Sequence, residues 1–178
     1  MLFHTLDETE VILRGIKQDI DSFNSFELES SNIKHVYFLI FDELKPVKFC
    51  CQVFDLMNFS CLEKSNSKGF RIAAITEWGI WPSSENLTAY YRRRRARGDR
   101  QELRQAPCHL FSAHEQLDFF LFVAMFLRFG WGGLLAGNSD GVSIAFNHDS
   151  GAWIFAHDER LDIEGEIKKW ERKYEKLK

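Results

Sequence analysis

The sequence predicts an α+β fold: a single domain in which an antiparallel sheet packs against a buried apolar helix, with further helices flanking it. Three observations carry this expectation. The run LDFFLFVAMFLRF from Leu117 to Phe129 holds eleven apolar residues in thirteen, interrupted only by Asp118 and Arg128. A helix that is apolar on every side belongs in a core or a membrane, and this one is shorter than the roughly 20 residues that a span requires. Segments rich in β-branched and aromatic residues come in groups before and after it, and strands grouped apart from helices argue for an antiparallel sheet. Finally, 178 residues with 45% apolar and 28% charged side chains suit one globular domain with a real core. No internal repeat, low-complexity tract or dividing linker is present.

The elements follow in order. Val11, Ile12, Ile16, Ile20 and Phe23 recur at helical spacing, which predicts an amphipathic helix over 8–23, with Gly15 inside it. His35–Phe41 and Val47–Leu56 read as strands joined by a hairpin loop at Asp42–Pro46, and Phe70–Trp78 as the third strand of a meander. Pro82 lacks a donor and ends it. Ser83 or Ser84 caps a helix over Glu85–Arg97, with Glu85 near its positive end. Pro107–Phe111 reads as a connection. Ser112 and Glu115 form a capping box, so the central helix spans 112–128 and stops at Gly130, Gly132 and Gly133. Leu134–Leu135, Val142–Phe146 and Ala152–Phe155 are short strands, separated by turns at Asn138–Gly141 and Asn147–Gly151. Leu161–Leu177 reads as a charged helix with a stripe of Ile163, Ile167, Trp170, Tyr174 and Leu177.

The charge is uneven. Residues 89–105 hold seven Arg against Asp99 and Glu102, a local +5, so the remainder carries −8 of the net −3. The N-terminus turns acidic at once and lacks the order of a signal peptide. Cys50, Cys51, Cys61 and Cys108 contain no C-x-x-C, which predicts reduced thiols and a cytoplasmic location, with no membrane partner.

The sharpest local signal is Tyr90-Tyr91-Arg92-Arg93-Arg94-Arg95-Ala96-Arg97. Arginines beside aromatics suit phosphate neutralisation and base stacking. Four consecutive Arg on a helix spray around its axis, however, so the same patch could grip an acidic partner or the protein's own carboxylates. His148-Asp149 and His157-Asp158 carry the residue types of metal ligation or acid–base catalysis. They flank a predicted strand, whose ends lie about 20 Å apart at roughly 3.3 Å per residue, and that favours turn histidines. His109 and His114 read as cap histidines, His114 lacking the second His of H-E-x-x-H. No nucleophile elbow, P-loop or dinucleotide fingerprint occurs. Phe129-Gly130-Trp131-Gly132-Gly133 reads as a tight helix-to-strand turn with Trp131 plugging an edge, and Trp78 and Trp81 as core.

Taken as an ordered set, Trp78-Gly-Ile-Trp-Pro-Ser-Ser-Glu-Asn86, Tyr90-Tyr91-Arg92, Cys108-His-Leu-Phe111, His114-Glu115, Phe129-Gly-Trp131 and His157-Asp-Glu159 resemble a family of small uncharacterised bacterial proteins. Some of these sit beside contact-dependent or polymorphic toxins, as immunity proteins do. The resemblance covers about residues 75–160 and implies a protein partner, a cognate toxin, with no activity attached to the motifs. The expected function is thus that of a non-enzymatic cytoplasmic binding protein without cofactor or metal. The contact residues are Tyr91, Arg92, Arg93 and Arg95, or else the acidic groups Asp140, Asp149, Asp158 and Glu159. The alternatives are a nucleic-acid-associated protein using residues 90–104 and a metal-dependent or acid–base enzyme using His148, Asp149, His157 and Asp158.

Overall fold

Among the described residues eight strands, every neighbouring pair antiparallel, form one sheet in the order β1-β4-β3-β5-β6-β7-β2-β8. They are β1 (Leu2–His4), β2 (His35–Ile40), β3 (Phe70–Glu77), β4 (Cys108–Ser112), β5 (Gly132–Gly137), β6 (Val142–Phe146), β7 (Gly151–Ala156) and β8 (Tyr174–Leu177). Four helices accompany them among the described residues: α1 (Pro46–Leu62), α2 (Ser84–Ala96), α3 (Gln116–Arg128) and α4 (Ile163–Lys168). The computed structural model describes residues 2–4, 33–40, 46–62, 70–77, 83–103, 105, 108–112, 114–137, 141–170 and 174–177. For 2–4, 46, 58–62, 70, 77 and 174–177 it describes the backbone alone. The expected helix over 8–23, the loop at 42–45, Trp78, Trp81 and Asp140 lie outside these residues.

The α+β architecture is as the sequence predicts, and strand alternation explains which side is the core. His109, Ala73, Leu135, Ile144, Ile154 and Tyr37 stand opposite one another in turn across six strands, all on the face that carries the helices. Cys108, Ala74, Leu134, Ala145, Trp153 and Phe38 make the equivalent row on the other face. There Ile72, Ala74, Cys108, Leu134, Ala136 and Ala145 form a second buried cluster. The central strands β5 and β6 are therefore buried along their whole length, and their sequences are continuous apolar or small runs for that reason. Gly133 is required by this packing: a Cβ there would lie 2.7 Å from the Phe146 ring and 2.9 Å from the Ala74 carbonyl oxygen.

Four expectations are corrected. Residues 47–56 are not a strand but the body of α1, so no meander forms. β2 instead pairs with β7 and β8, and β3 with β4 and β5. Proline at the first position of α1 is pre-organised for a helix. Phe49, Cys50, Val53, Leu56 and Met57, all buried, recur at the i, i+1, i+4, i+7, i+8 spacing of one helical face. Residues 108–112 are a strand, not a connection, alternating His109 and Phe111 towards the helices with Cys108 and Leu110 away from them. The C-terminal helix stops at Lys168, and Tyr174–Leu177 pair with β2 as β8, because an edge strand offers the chain a row of unpaired backbone groups. The stripe of Ile163, Ile167 and Trp170 is buried as its spacing predicts.

The central helix is the fourth, and its correction is partial. It begins at Gln116, with Ser112 ending β4. The Ser–Glu pair is nonetheless formed: the Ser112 amide and hydroxyl both donate to the Glu115 carboxylate at 2.9 and 3.0 Å, tying the strand end to the helix start. Phe119, Phe122, Val123, Phe126 and Leu127 are buried, whereas Leu117 is 71% exposed, so α3 is not buried on every side. α1 packs alongside it through Phe54 against Phe120, at 5.8 Å and 85°, and through the Cys50 thiol, which donates to the Phe120 carbonyl at 3.4 Å. Burial, with the neighbouring Cys51 adding to it, pushes the Cys50 thiol up to about 12. Gly130, at φ +66°, ends α3: the Gly130 amide donates to Leu127 and the Trp131 amide to Phe126, a Schellman motif. Trp131 then turns into the core at 3% exposure, instead of plugging an edge.

Candidate functional site

The arginine-rich helix α2 starts at Ser83, whose hydroxyl accepts from the Asn86 amide at 3.2 Å. Its inward and outward arginines behave differently. Arg94 is fully buried. Its Nε donates to Asp99 Oδ2 at 2.5 Å, its Nη1 donates to the Tyr90 hydroxyl at 2.9 Å, and its Nη2 also meets Asp99. The Tyr90 hydroxyl lies 2.7 Å from His109 Nε2, while His109 Nδ1 lies 3.0 Å from the Ala73 carbonyl. A carbonyl can only accept, so Nδ1 carries the proton, and Nε2 of the neutral ring accepts from Tyr90. The result is a continuous buried chain, Asp99–Arg94–Tyr90–His109–Ala73. Burial pushes the Tyr90 phenol well above its usual range, against the opposing pull of Arg94, and fixes it as a donor.

A second anchor lies beside it. The Asp118 carboxylate, 8% exposed, accepts from Arg93 Nη2 at 3.0 Å and from Arg97 Nη2. The expectation that Asp118 reaches water or a cap near its helix end is therefore replaced by a bridge from α3 to α2. The Arg93 guanidinium also stands over the Phe122 ring at 5.4 Å. Tyr91 is half-buried against Tyr90, and its hydroxyl accepts from the Leu103 amide at 2.9 Å. Of the basic contact residues expected, Tyr91 and Arg93 are thus tied inward. Arg92 and Arg95 are exposed and, with Arg100, have no acidic partner among the described residues.

The acidic alternatives are scattered. Asp158 pairs with Arg160 at 2.5 Å, Glu159 lies 3.7 Å from Lys34, and Asp149 lies 3.2 Å from His148 Nε2. His148-Asp149 and His157-Asp158 sit at opposite ends of β7 and do not converge. Among the described residues no group of three His, Cys, Asp or Glu side chains could hold a metal ion. His157 Nε2 lies 2.8 Å from the Ser143 hydroxyl. Burial lowers its pKa below the ordinary 6.5, so the folded state resists protonation that the unfolded chain accepts. Stability is accordingly expected to hold above about pH 6.5 and to fall below it. His157→Gln should flatten that acid limb in urea titrations, and an unchanged pH dependence would reject the assignment.

Between the C-terminal end of α3 and the β6–β7 turn lies a cleft of about 150 Å³, reaching from Arg128 and Trp131 to Asn147, His148 and Ser150. Asn147 shapes the turn by accepting, through Oδ1, the amides of Asp149 at 3.2 Å and Gly151 at 2.9 Å. Ser150 adopts φ +62°, a left-handed conformation unfavourable to side chains. Ser150→Gly is expected to raise stability by roughly 0.5–1 kcal/mol, the steric relief less the extra freedom of glycine in the unfolded chain. A lowered urea midpoint would contradict this.

Comparison of the chain with protein-family models, with curated proteins and with solved structures returns no match. The residues around this site are legible only in part from sequence. The Tyr90/Arg94 pair, one helical turn apart, and the alternation in Cys108–Phe111 were the available signals for the buried chain. Nothing local pointed Asp118 towards Arg93 and Arg97.

Proposed function

We propose that the protein is a non-enzymatic binding protein that recognises an acidic protein surface through the outer face of α2, as an immunity protein would when it blocks a toxin. The observation that supports this is the division of arginines along one helix. Arg93, Arg94 and Arg97 are held by Asp118 and Asp99, while Arg92 and Arg95, three residues apart on the outside, keep their forks free among the described residues. Side chains at that spacing are neighbours, with Cβ atoms about 5–6 Å apart, and two guanidinium forks there suit two carboxylates. The helix beneath is already ordered by its anchors, so a partner spends little free energy on arranging it.

The nucleic-acid reading is weaker on the same observation. Base stacking would need Tyr90 or Tyr91, and both rings are turned inward with their hydroxyls engaged. No described helix is long and apolar enough to cross a membrane.

The test is co-expression with the product of each adjacent gene, read as growth rescue where that product is toxic, with wild type and an Arg92→Glu/Arg95→Glu variant. Both positions are exposed, so thermal unfolding should move by less than about 0.5 kcal/mol. Rescue should be lost, and the association rate should drop at least tenfold at low salt. Undiminished rescue by the variant would reject the face. Steeply salt-dependent binding to random duplex, lost on charge reversal, would favour nucleic acid instead.

A further inference from the structure

We propose that the cleft between the end of α3 and the β6–β7 turn is a binding site for a carboxylate. Its lining is rich in donors that the protein leaves unused. Ser150 and Trp131 are only 4% and 3% exposed, yet neither side chain makes a hydrogen bond among the described residues. Neither polar atom is sealed off from solvent, so each donor stays open to a ligand. Asn147 Oδ1 already accepts two backbone amides, so its Nδ2 is what the side chain still has to offer. Arg128, exposed at the end of α3, has no acidic partner among the described residues. Residues that carry a hydroxyl, an indole N–H, an amide N–H and a guanidinium thus line one cleft.

Charge selects among anions. Arg128 contributes one positive charge, and the exposed Asp149, beside His148, offsets it nearby. The cost of desolvating an anion rises with the square of its charge while attraction to one guanidinium rises only linearly, so the site favours a singly charged carboxylate, which also matches the arginine fork. Size agrees, since a cavity of this volume accommodates a molecule about as large as benzene. Acetate, a small carboxylic acid or the carboxylate of an acidic peptide group therefore fits, and a nucleotide does not. Ser150 also acquires a reason to occupy a left-handed position that glycine would hold with less strain: it supplies a hydroxyl.

The probe is the Trp131 indole N–H resonance in a nitrogen-15 correlation spectrum, titrated at constant ionic strength. Acetate should shift it saturably, and inorganic phosphate and chloride at least tenfold less effectively. Ser150→Gly keeps the backbone conformation accessible and should weaken the acetate response at least fivefold, as should Arg128→Gln. A peptide ending in a free carboxylate should outcompete its amidated twin if the natural ligand is peptide-borne, whereas equal behaviour alongside a saturable acetate response assigns a small acid. Phosphate binding as tight as acetate, a linear response, or a response unchanged in both variants overturns the proposal.

Discussion

Replacing Asp99 with alanine is expected to cost about 3–5 kcal/mol of folding stability, the usual loss when one partner of a buried ion pair is removed. Arg94 has no exposed surface, and the side-chain hydrogen bond left to it among the described residues would be the one to the Tyr90 hydroxyl, a neutral group that cannot balance a charge. For a chain of this length that corresponds to a fall of roughly 10 °C in Tm. The more discriminating result is the double variant. Arg94→Met removes the stranded charge and fills much of its volume, and apolar replacement of a buried pair is often close to neutral. Asp99→Ala/Arg94→Met should therefore be more stable than Asp99→Ala alone. Urea unfolding of all four species, with m-values compared to verify two-state behaviour, gives the coupling energy directly. Losses that simply add would show that the pair does not act as a unit. Because Arg94 holds the inner face of α2, the single variant should also impair whatever Arg92 and Arg95 contact.

The same pair shows where sequence reading succeeds and where it stops. Spraying four arginines around a helix implies that some face inward, and Arg93 and Arg94 do, while Arg97 at the helix end joins Arg93 on Asp118. Which carboxylates receive them depends on positions five to 25 residues away and cannot be read from spacing. His109 looked like a cap histidine because it and His114 straddle Ser112, the expected cap of the central helix. Its burial follows from pairing of β4 with β3 and β1, a long-range event. The error over Val47–Leu56 has a different cause. The helical spacing of Phe49, Val53 and Leu56 was present, but β-branched and aromatic composition outweighed it, and propensity is the weaker signal when a periodic face exists. Tyr174 and Leu177 extended a helical stripe by coincidence, and only the free edge of β2 explains their strand. The late strands β6 and β7 were legible because turn residues at Asn147–Gly151 bracket short apolar runs. Of the candidate contact residues, Arg92 and Arg95 remain available, while exposure alone could not distinguish them from Arg93 in the sequence.

Phe122→Ala is expected to be the most damaging single change to α3, with a loss of about 3–5 kcal/mol. The ring has no exposed surface and sits among four others: His109 at 4.9 Å, Phe111 at 5.8 Å, Tyr90 at 6.1 Å and Phe126 at 6.2 Å between centroids. Truncation opens a cavity whose walls belong to three different elements, α2, α3 and β4, so no one of them can shift to close it. The Arg93 guanidinium would lose the ring face beneath it as well, leaving Asp118 to hold it alone. Phe122→Leu retains most of the apolar volume and should cost less than about 1.5 kcal/mol. On the same helix Leu117→Ala, at a position 71% exposed, should change stability by no more than about 0.5 kcal/mol. That contrast separates burial from helix propensity, because leucine and alanine are both strong helix formers and the backbone context is shared. Similar losses at both positions would mean that α3 is not seated on the sheet by this face, and that the buried Tyr90–His109 chain below it is not continuous.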